Sequence, residues 1–470
     1  MDAETPERDE EHEGGILRTL EAWACGFVLF MLSNAFIGPL LDPAQAGGED
    51  MPILRLMWLP VYALILALVL WRAPRLAKFW LPATVLSLLV FWVFASSSWS
   101  FDPGTTNRRA LAAAFTTLFG FYFAASFDGR RMAEILATTF LILGAGGLLA
   151  AIAYPKMGVQ HDINAGDWRG LWFEKNQMGA MMVYGALAAT AAILAGSRHR
   201  KLFVAAIVIC AFMIVMSKSK TSLMVLLIGL AGSGVLASMR RGPATAVTMV
   251  WLGVTVIGGA ALVMWLAPDL LFKALGKDPT LTGRTEIWDA LLRQSAKAPI
   301  TGYGYAVFWR DESVPAMFIR KETGWNVPTA HNGWLDVLAQ LGWVGVGLSA
   351  LVLGLPVLVA LLRFDKVRDG YWSTLFLVIF LITTFSESFI LERNGIAWAL
   401  ACAAATRLLG PALGLARSAE PKAARAPREE APLTWRLAPP EPMPEIWSPA
   451  PAFGRRMVSP LAARTTIGAA

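Results

Sequence analysis

Runs of about 20 apolar residues recur along most of the chain, and they restrict its fold more than any other feature does. Each run is long enough to cross a hydrocarbon layer about 30 Å thick as an α-helix, which satisfies its own backbone hydrogen bonds. Apolar residues make up 56% of the 470 and charged residues only 16%, which excludes a soluble globular fold. The sequence therefore predicts an all-α integral membrane protein.

About twelve transmembrane helices are predicted, with one large loop between the ninth and the tenth. The spans cover residues 23–41, 53–71, 79–96, 110–127, 132–153, 177–196, 202–217, 221–239, 244–267, 334–362, 371–390 and 395–410. They divide the chain into an acidic N-terminal segment, the first nine spans, the large loop, the last three spans and a tail, with bounds 1–22, 23–267, 268–332, 333–410 and 411–470. The tail is rich in Ala, Pro and Arg, so we expect it to be disordered.

Basic residues occur in alternate short loops, and they predict the orientation in the membrane. The basic loops hold Arg72, Arg75 and Lys78; Arg130 and Arg131; Arg198, Arg200 and Lys201; Arg240 and Arg241; and Arg363, Lys366 and Arg368. Because cytoplasmic loops collect Lys and Arg, we expect both termini in the cytoplasm and the large loop outside. The net charge of +7 is then mainly topological and gives no reason to expect a nucleic-acid partner.

The three cysteines give no sign of a metal site. Cys25, Cys210 and Cys402 each lie in an apolar span, and none has the Cys or His spacing of a metal-binding motif. We interpret them as small core residues.

Charged residues gather at four junctions on the predicted external face. These junctions are Arg169–Asn176, Ser217–Ser222, the start of a segment at Gly283, and Glu387 with Glu392–Asn394. Ionisable groups so close to hydrocarbon cost free energy unless they meet a partner, a ligand or water. A polyprenyl pyrophosphate would be such a ligand, because it places two phosphates at the interface and its tail in the bilayer. Snorkelling of ordinary helix-end cations is the alternative interpretation.

The large loop contains one predicted helix and one predicted turn. Residues 283–297 predict a short helix with Arg284 in its first turn and with Ile287, Trp288, Leu291 and Leu292 on one face. The segment Gly302–Tyr305 is expected to be a flexible aromatic turn.

His331, one of four histidines, directly precedes the tenth span. Its imidazole is placed to act as a general base toward a sugar hydroxyl, or as a donor to a pyrophosphate oxygen. A lone histidine is more often structural, so this position alone does not decide the role. The chain has neither a GxSxG motif nor a Ser/His/Asp order, which disfavours a hydrolase.

In combination, these residues resemble the O-antigen ligase and Wzy-type polymerase superfamily. The resemblance rests on Lys175-Asn176, Ser217–Thr221, Gly283–Trp288, Gly302–Gly304, and His331–Gly333 followed by Gly342. It covers residues 160–400 and is greatest to the succinoglycan-type exopolysaccharide polymerases, through Glu174, Glu387-Ser388 and Arg393-Asn394.

The resemblance implies a metal-independent glycosyltransferase of the bacterial inner membrane, without a cofactor, which uses undecaprenyl-pyrophosphate-linked oligosaccharide on the periplasmic side. It implies that His331 is catalytic and that Lys220 and Arg284 bind the pyrophosphate, and we therefore count Arg284 with His331 as a catalytic residue. We expect Lys175, Lys218, Arg169 and Arg393 to assist these cations, and Asn176, Gly283, Glu286, Asn332 and Glu387 to support the site.

The expected function is polymerisation of lipid-linked repeat units into surface polysaccharide or exopolysaccharide. A ligase that transfers the glycan to lipopolysaccharide core or to a protein uses the same donor chemistry and stays open. A transporter or flippase of lipid-linked glycans, and a structural membrane subunit, are alternatives of other classes. Expected partners are the lipid-linked oligosaccharide and membrane lipids, with a chain-length regulator and a flippase as further candidates.

Overall fold

The computed structural model describes residues 5–35, 37, 52–161, 164–239, 242–266, 284–362 and 371–410. The predicted disordered tail, the first part of the large loop and the candidate residue Gly283 lie outside the described residues. These predictions are therefore not tested by the structure.

Most of the described residues are helical. They form α1 (Thr5–Leu32), α2 (Pro52–Trp71), α3 (Ala73–Leu76), α4 (Trp80–Ala95), α5 (Pro103–Ser126), α6 (Gly129–Ala153), α7 (Pro155–Gly158), α8 (Lys175–Leu194), α9 (Arg200–Met216), α10 (Lys220–Met239), α11 (Pro243–Leu266), α12 (Arg284–Ser295), α13 (Val314–Thr323), α14 (Gly333–Leu362), α15 (Tyr371–Thr383) and α16 (Ile396–Leu409). Within this part of the chain, the one β-type pairing is an antiparallel bridge between Val159 and Trp168.

Each predicted span overlaps one of these helices. Among the described residues, 6 helical segments are long and apolar enough to cross a membrane, and three shorter helices are also apolar. The helical, multi-pass architecture agrees with the predicted fold class. The number of twelve crossings and the position of the large loop relative to the bilayer stay predictions.

Helix α16 lies at the centre of the bundle, since every one of its residues is buried. A helix that is apolar on all sides is typical of a position surrounded by other helices. Helix α5 packs directly against it: a Cβ at Gly120 would overlap the Ala399 carbonyl, and the Trp398 indole donates to Thr117 Oγ1 at 2.9 Å. The small residues of both helices permit this close approach.

Helix α14 breaks at Gly342, whose backbone adopts φ 65° and ψ −168°. The break frees backbone groups that the segment after α12 then satisfies. The carbonyls of Ala339 and Gln340 accept hydrogen bonds from the N–H groups of Tyr303 (3.0 Å) and Gly304 (2.9 Å). The large loop is therefore attached along the N-terminal part of α14.

These contacts correct the expectation of a flexible turn at Gly302–Tyr305. A Cβ at Gly304 would lie 2.7 Å from Ser100 Cβ, so the glycine permits a close backbone approach. The Tyr305 hydroxyl donates to the Leu391 carbonyl at 2.6 Å. The segment is therefore ordered by packing, because it contacts Ser100 before α5 and the turn between α15 and α16 that holds Leu391.

Candidate functional site

The predicted helix at 283–297 is present as α12 (Arg284–Ser295). Ile287 and Leu291 are buried, as the predicted face requires, but Leu292 is 46% exposed. The buried face is centred instead on Ile287, Ala290 and Leu291, because a helix turns about 100° per residue and Leu292 falls past its edge. This face and the side chains of Phe308, Ile319, Val327 and Ala330 form a small second core outside the main one.

This second core holds the backbone on both sides of His331. The Trp288 indole donates to the Ala330 carbonyl at 2.9 Å, and the Ala330 N–H donates to the buried Asp336 carboxylate at 3.2 Å. Asn332 is the N-cap of α14, since its side-chain oxygen accepts from the N–H groups two and three residues later, at 3.0 and 3.2 Å. His331 itself has φ 48°, in the left-handed region.

The His331 cluster, which we define as His331, Arg284, Ser386 and Glu387, joins three separate parts of the chain. Arg284 Nη1 donates to the Ser386 carbonyl at 2.8 Å, and its Nη2 lies 4.0 Å from Glu387 Oε1. Burial lowers the pKa of His331, and the positive charge of Arg284 lowers it further. Both effects favour the neutral imidazole, which is the form that accepts a proton.

A second cluster contains two of the predicted phosphate-binding lysines. We define the Asp167 cluster as Asp167, Lys175 and Lys218. The buried Asp167 carboxylate accepts a hydrogen bond from Lys175 Nζ at 2.6 Å and forms an ion pair with Lys218 Nζ at 2.8 Å. The two ammonium groups hold the pKa of Asp167 below its usual value. Lys220 is exposed in the first turn of α10. Sequence reasoning missed Asp167, because nothing in the sequence marks it as the partner of one lysine at the start of α8 and of another in the turn between α9 and α10.

Three other candidates have more peripheral positions. Arg169 donates to the carbonyls of Met157 (2.8 Å), Phe173 (3.3 Å) and Lys156 (3.4 Å), so its guanidinium holds the loop before α8 in shape. Asn176 is exposed in the first turn of α8, and Glu286 is exposed in the first turn of α12.

A cavity of about 1020 Å³ opens between the large loop, the start of α5, the start of α8 and the turn between α15 and α16. Aromatic and charged side chains line it together. They include Tyr62, Tyr305, Trp309, Arg108, Arg109, Arg310, Arg320, Glu392 and Arg393. Aromatic faces combined with polar groups suit a saccharide, and several guanidinium groups suit a phosphate.

Sequence reasoning missed the contribution of α5. Arg109 donates to the Ala306 carbonyl, and Thr106 Oγ1 donates to the Tyr305 carbonyl at 3.3 Å. Arg310 pairs with Asp102 at 3.6 Å. One sequence feature could have indicated this contribution. Arg108 and Arg109 stand directly before an apolar run, where two charges cost free energy unless they have partners.

Glu392 adds an unusual carboxyl group to the cavity wall. Burial raises its pKa to about 7, and the nearby negative charge of Glu387 acts in the same direction. The adjacent Arg393 also lines the cavity, where burial lowers its pKa to about 10. The turn between α15 and α16 therefore offers both an acid and a cation to a bound molecule.

Residues 205–350 match the family model described as O-antigen ligase. The predicted resemblance is confirmed. The matched region contains Lys218, Lys220, Arg284, His331 and Gly342.

The chain is also similar to the exopolysaccharide production protein ExoQ of Rhizobium meliloti (strain 1021). The two are 25% identical over 289 residues, which is 58% of this chain and 64% of that relative. The chain thus spans slightly less than two thirds of the relative's length.

Proposed function

We propose that this protein is an inner-membrane glycosyltransferase that polymerises undecaprenyl-pyrophosphate-linked repeat units at the periplasmic face. The observation that carries this proposal is the His331 cluster. It places a half-buried imidazole, whose neutral form is favoured, near a guanidinium from α12 and close to a cavity with a mixed aromatic and charged lining.

The proposed reaction uses His331 as the general base. The imidazole takes the proton from an acceptor sugar hydroxyl, and the hydroxyl oxygen forms a bond to the anomeric carbon of the donor. The bond from that carbon to the pyrophosphate oxygen breaks, and the lipid pyrophosphate leaves with the electron pair. A correctly placed base of this kind contributes about 10²–10⁴-fold to the rate.

Arg284 is proposed to stabilise the departing pyrophosphate, with Lys220 and the lysines of the Asp167 cluster as further cations. Cations fixed at the membrane face neutralise the leaving group, so the proposed reaction needs no divalent metal. Lys175 and Lys218 share Asp167, so a bound phosphate would compete with this carboxylate for their ammonium groups. We expect Asp167 to keep both lysines ordered before the donor binds.

A ligase is the second candidate, because the family model that matches residues 205–350 is described as O-antigen ligase. The donor chemistry is identical in the two reactions, and only the acceptor differs. The similarity to an exopolysaccharide production protein favours the polymerase.

The experiment that separates these functions supplies purified protein with a lipid-linked oligosaccharide in the presence of a chelator. A ladder of longer lipid-linked chains on a gel is expected for a polymerase. Transfer only after addition of lipopolysaccharide core would identify a ligase. Movement of labelled lipid across a vesicle membrane with no new glycosidic bond would instead support a transporter and refute the proposal.

A further inference from the structure

Arginine side chains gather at the C-terminal end of α5, far from the His331 cluster. The buried Glu21 carboxylate accepts from the Tyr122 hydroxyl at 2.6 Å and from Arg72 Nε at 2.8 Å. On the next turn of α5, the Ala125 carbonyl accepts from Arg75 Nε at 2.9 Å. Because α5 has 24 residues, this end lies about 36 Å from its start at the cavity.

Two further guanidinium groups add to the positive charge there. Arg407 Nη1 donates to the Phe127 carbonyl at 3.4 Å, and Arg18 is exposed on α1. Arg18 lies one helical turn before Glu21 on α1, and the charges of Arg18, Arg72 and Arg407 all act on Arg75. The Glu21 carboxylate and the partial negative charge at the end of α5, about half an elementary charge, together offset only part of the charge of Arg18, Arg72 and Arg75. We call Arg18, Arg72, Arg75 and Arg407 the arginine cluster, in which Arg72 is paired with the Glu21 carboxylate.

An apolar groove of about 660 Å³ starts beside the arginine cluster. Two of its lining residues, Ala73 and Leu76, belong to the same short helix as Arg75, and a third, Phe121, precedes Tyr122 on α5. From there the groove follows one face of α4 from Trp80 to Phe91, a length of about 16 Å at 1.5 Å per residue. Phe91 is 71% exposed, so the groove opens at the outer surface of the bundle.

We propose that this end of the bundle binds an anionic phospholipid, with its phosphate at Arg72 and Arg75 and one acyl chain in the groove along α4. Charge complementarity selects this occupant. A zwitterionic lipid would bring its own cation among the four arginines, whereas an anionic headgroup compensates them. The continuity of the groove with the arginine cluster matches the shape of a phospholipid. The site lies at the end predicted to be cytoplasmic, and it does not depend on the proposed transferase activity.

The test compares retention of palmitoyl-oleoyl phosphatidylglycerol and phosphatidylcholine by the full-length protein, measured by native mass spectrometry from mixed nanodiscs. Phosphatidylglycerol is expected to be retained selectively. Arg75→Gln should weaken its binding about fivefold, the effect of one surface cation on an anionic lipid. Thr84→Trp should fill the groove and reduce binding without changing a charge.

The matched control is Arg200→Gln, which removes an exposed arginine from another loop predicted to be cytoplasmic. It should leave retention unchanged. Equal retention of the two lipids by the wild type would overturn the proposal, and so would equal effects of Arg75→Gln and Arg200→Gln. If Arg75→Gln fails to fold, Thr84→Trp provides the test instead. Unchanged phosphatidylglycerol retention by this variant, whose groove is blocked, would contradict the proposed site.

Discussion

His331 has a strained backbone and a well-supported position. A non-glycine residue in the left-handed region costs about 1 kcal/mol or more, and it persists when the surrounding structure determines it. Here Trp288 and Asp336 hold the preceding residue, and Asn332 caps the following helix. Neither neighbour of His331 can then move freely, which keeps the imidazole close to Arg284.

Removal of the Arg284 charge should raise the pKa of His331. A nearby cation disfavours the protonated imidazole, so Arg284→Gln leaves burial as the remaining cause of the lowered value. Histidine NMR titration should therefore show protonation at a higher pH in Arg284→Gln than in the wild type. The control is Arg293→Gln. Arg293 lies at the far end of α12 in an exposed ion pair with Glu322, so its replacement should leave the titration of His331 unchanged. An unchanged titration in Arg284→Gln would refute the electrostatic coupling.

Loss of the Asn332 side chain should affect the site through α14. Asn332→Ala removes both capping hydrogen bonds and should destabilise the protein by about 1 kcal/mol, whereas Asn332→Ser should retain most of the stability. Thermal unfolding of the detergent-solubilised protein measures the difference. If Asn332→Ala and Asn332→Ser unfold at the same temperature, the cap is not what fixes this end of α14.

At the scale of secondary structure, the break in α14 determines where the large loop attaches. The residue at the break must adopt φ 65°, and a Cβ there would overlap the Ile300 carbonyl oxygen. Glycine therefore meets two requirements at once, one conformational and one steric. The carbonyls that this break exposes bind the backbone of Tyr303 and Gly304 and so position the loop that carries Trp309.

Gly342→Ala should consequently be strongly destabilising, by about 2–4 kcal/mol, because it adds strain and a backbone clash. The control lies in the same helix: a Cβ at Gly347 would meet nothing within 4 Å, so Gly347→Ala should be neutral or slightly stabilising. The unfolding midpoints of the two variants provide the measurement. Similar midpoints would contradict the structural role assigned to the break.

Sequence patterns predicted the helices well and their irregularities poorly. Apolar runs located α14 as a span, but a glycine within such a run equally fits close helix packing, so the break at Gly342 was not predicted. Helical spacing predicted α12 and its buried face, with an error only at Leu292, which lies at the edge of that face. Local periodicity fixes a helix, whereas a break depends on the segment that satisfies its backbone.

At the scale of the whole molecule, α5 connects the two ends of the bundle. Its first turns carry Arg108 and Arg109 into the cavity wall, and its last turn meets the arginine cluster. Sequence reasoning selected His331 and Arg284 as candidates because their residue types are unusual at these positions, and their roles stay predictions. It missed Arg109 and Asp167, because their roles depend on contacts with distant segments.

The predicted orientation can be tested by cysteine labelling in intact cells. Glu312 lies in the large loop with its side chain 64% exposed, and Arg131 lies at the predicted cytoplasmic start of α6. Glu312→Cys should react with a membrane-impermeant maleimide from outside, and Arg131→Cys only after permeabilisation. The native cysteines are buried in helices, so their background reaction should be low. Labelling of Arg131→Cys in intact cells would reverse the proposed topology.

The most direct measurement is the rate of chain extension on a lipid-linked oligosaccharide by purified protein in which His331 or Arg284 is replaced by Ala. Loss of about 100-fold or more in both variants, with Arg293→Ala close to the wild type, is expected if a general base and a pyrophosphate-binding cation act at the His331 cluster. Full chain extension by either variant, with correct folding shown by the same unfolding midpoint, would contradict a transferase site at this cluster.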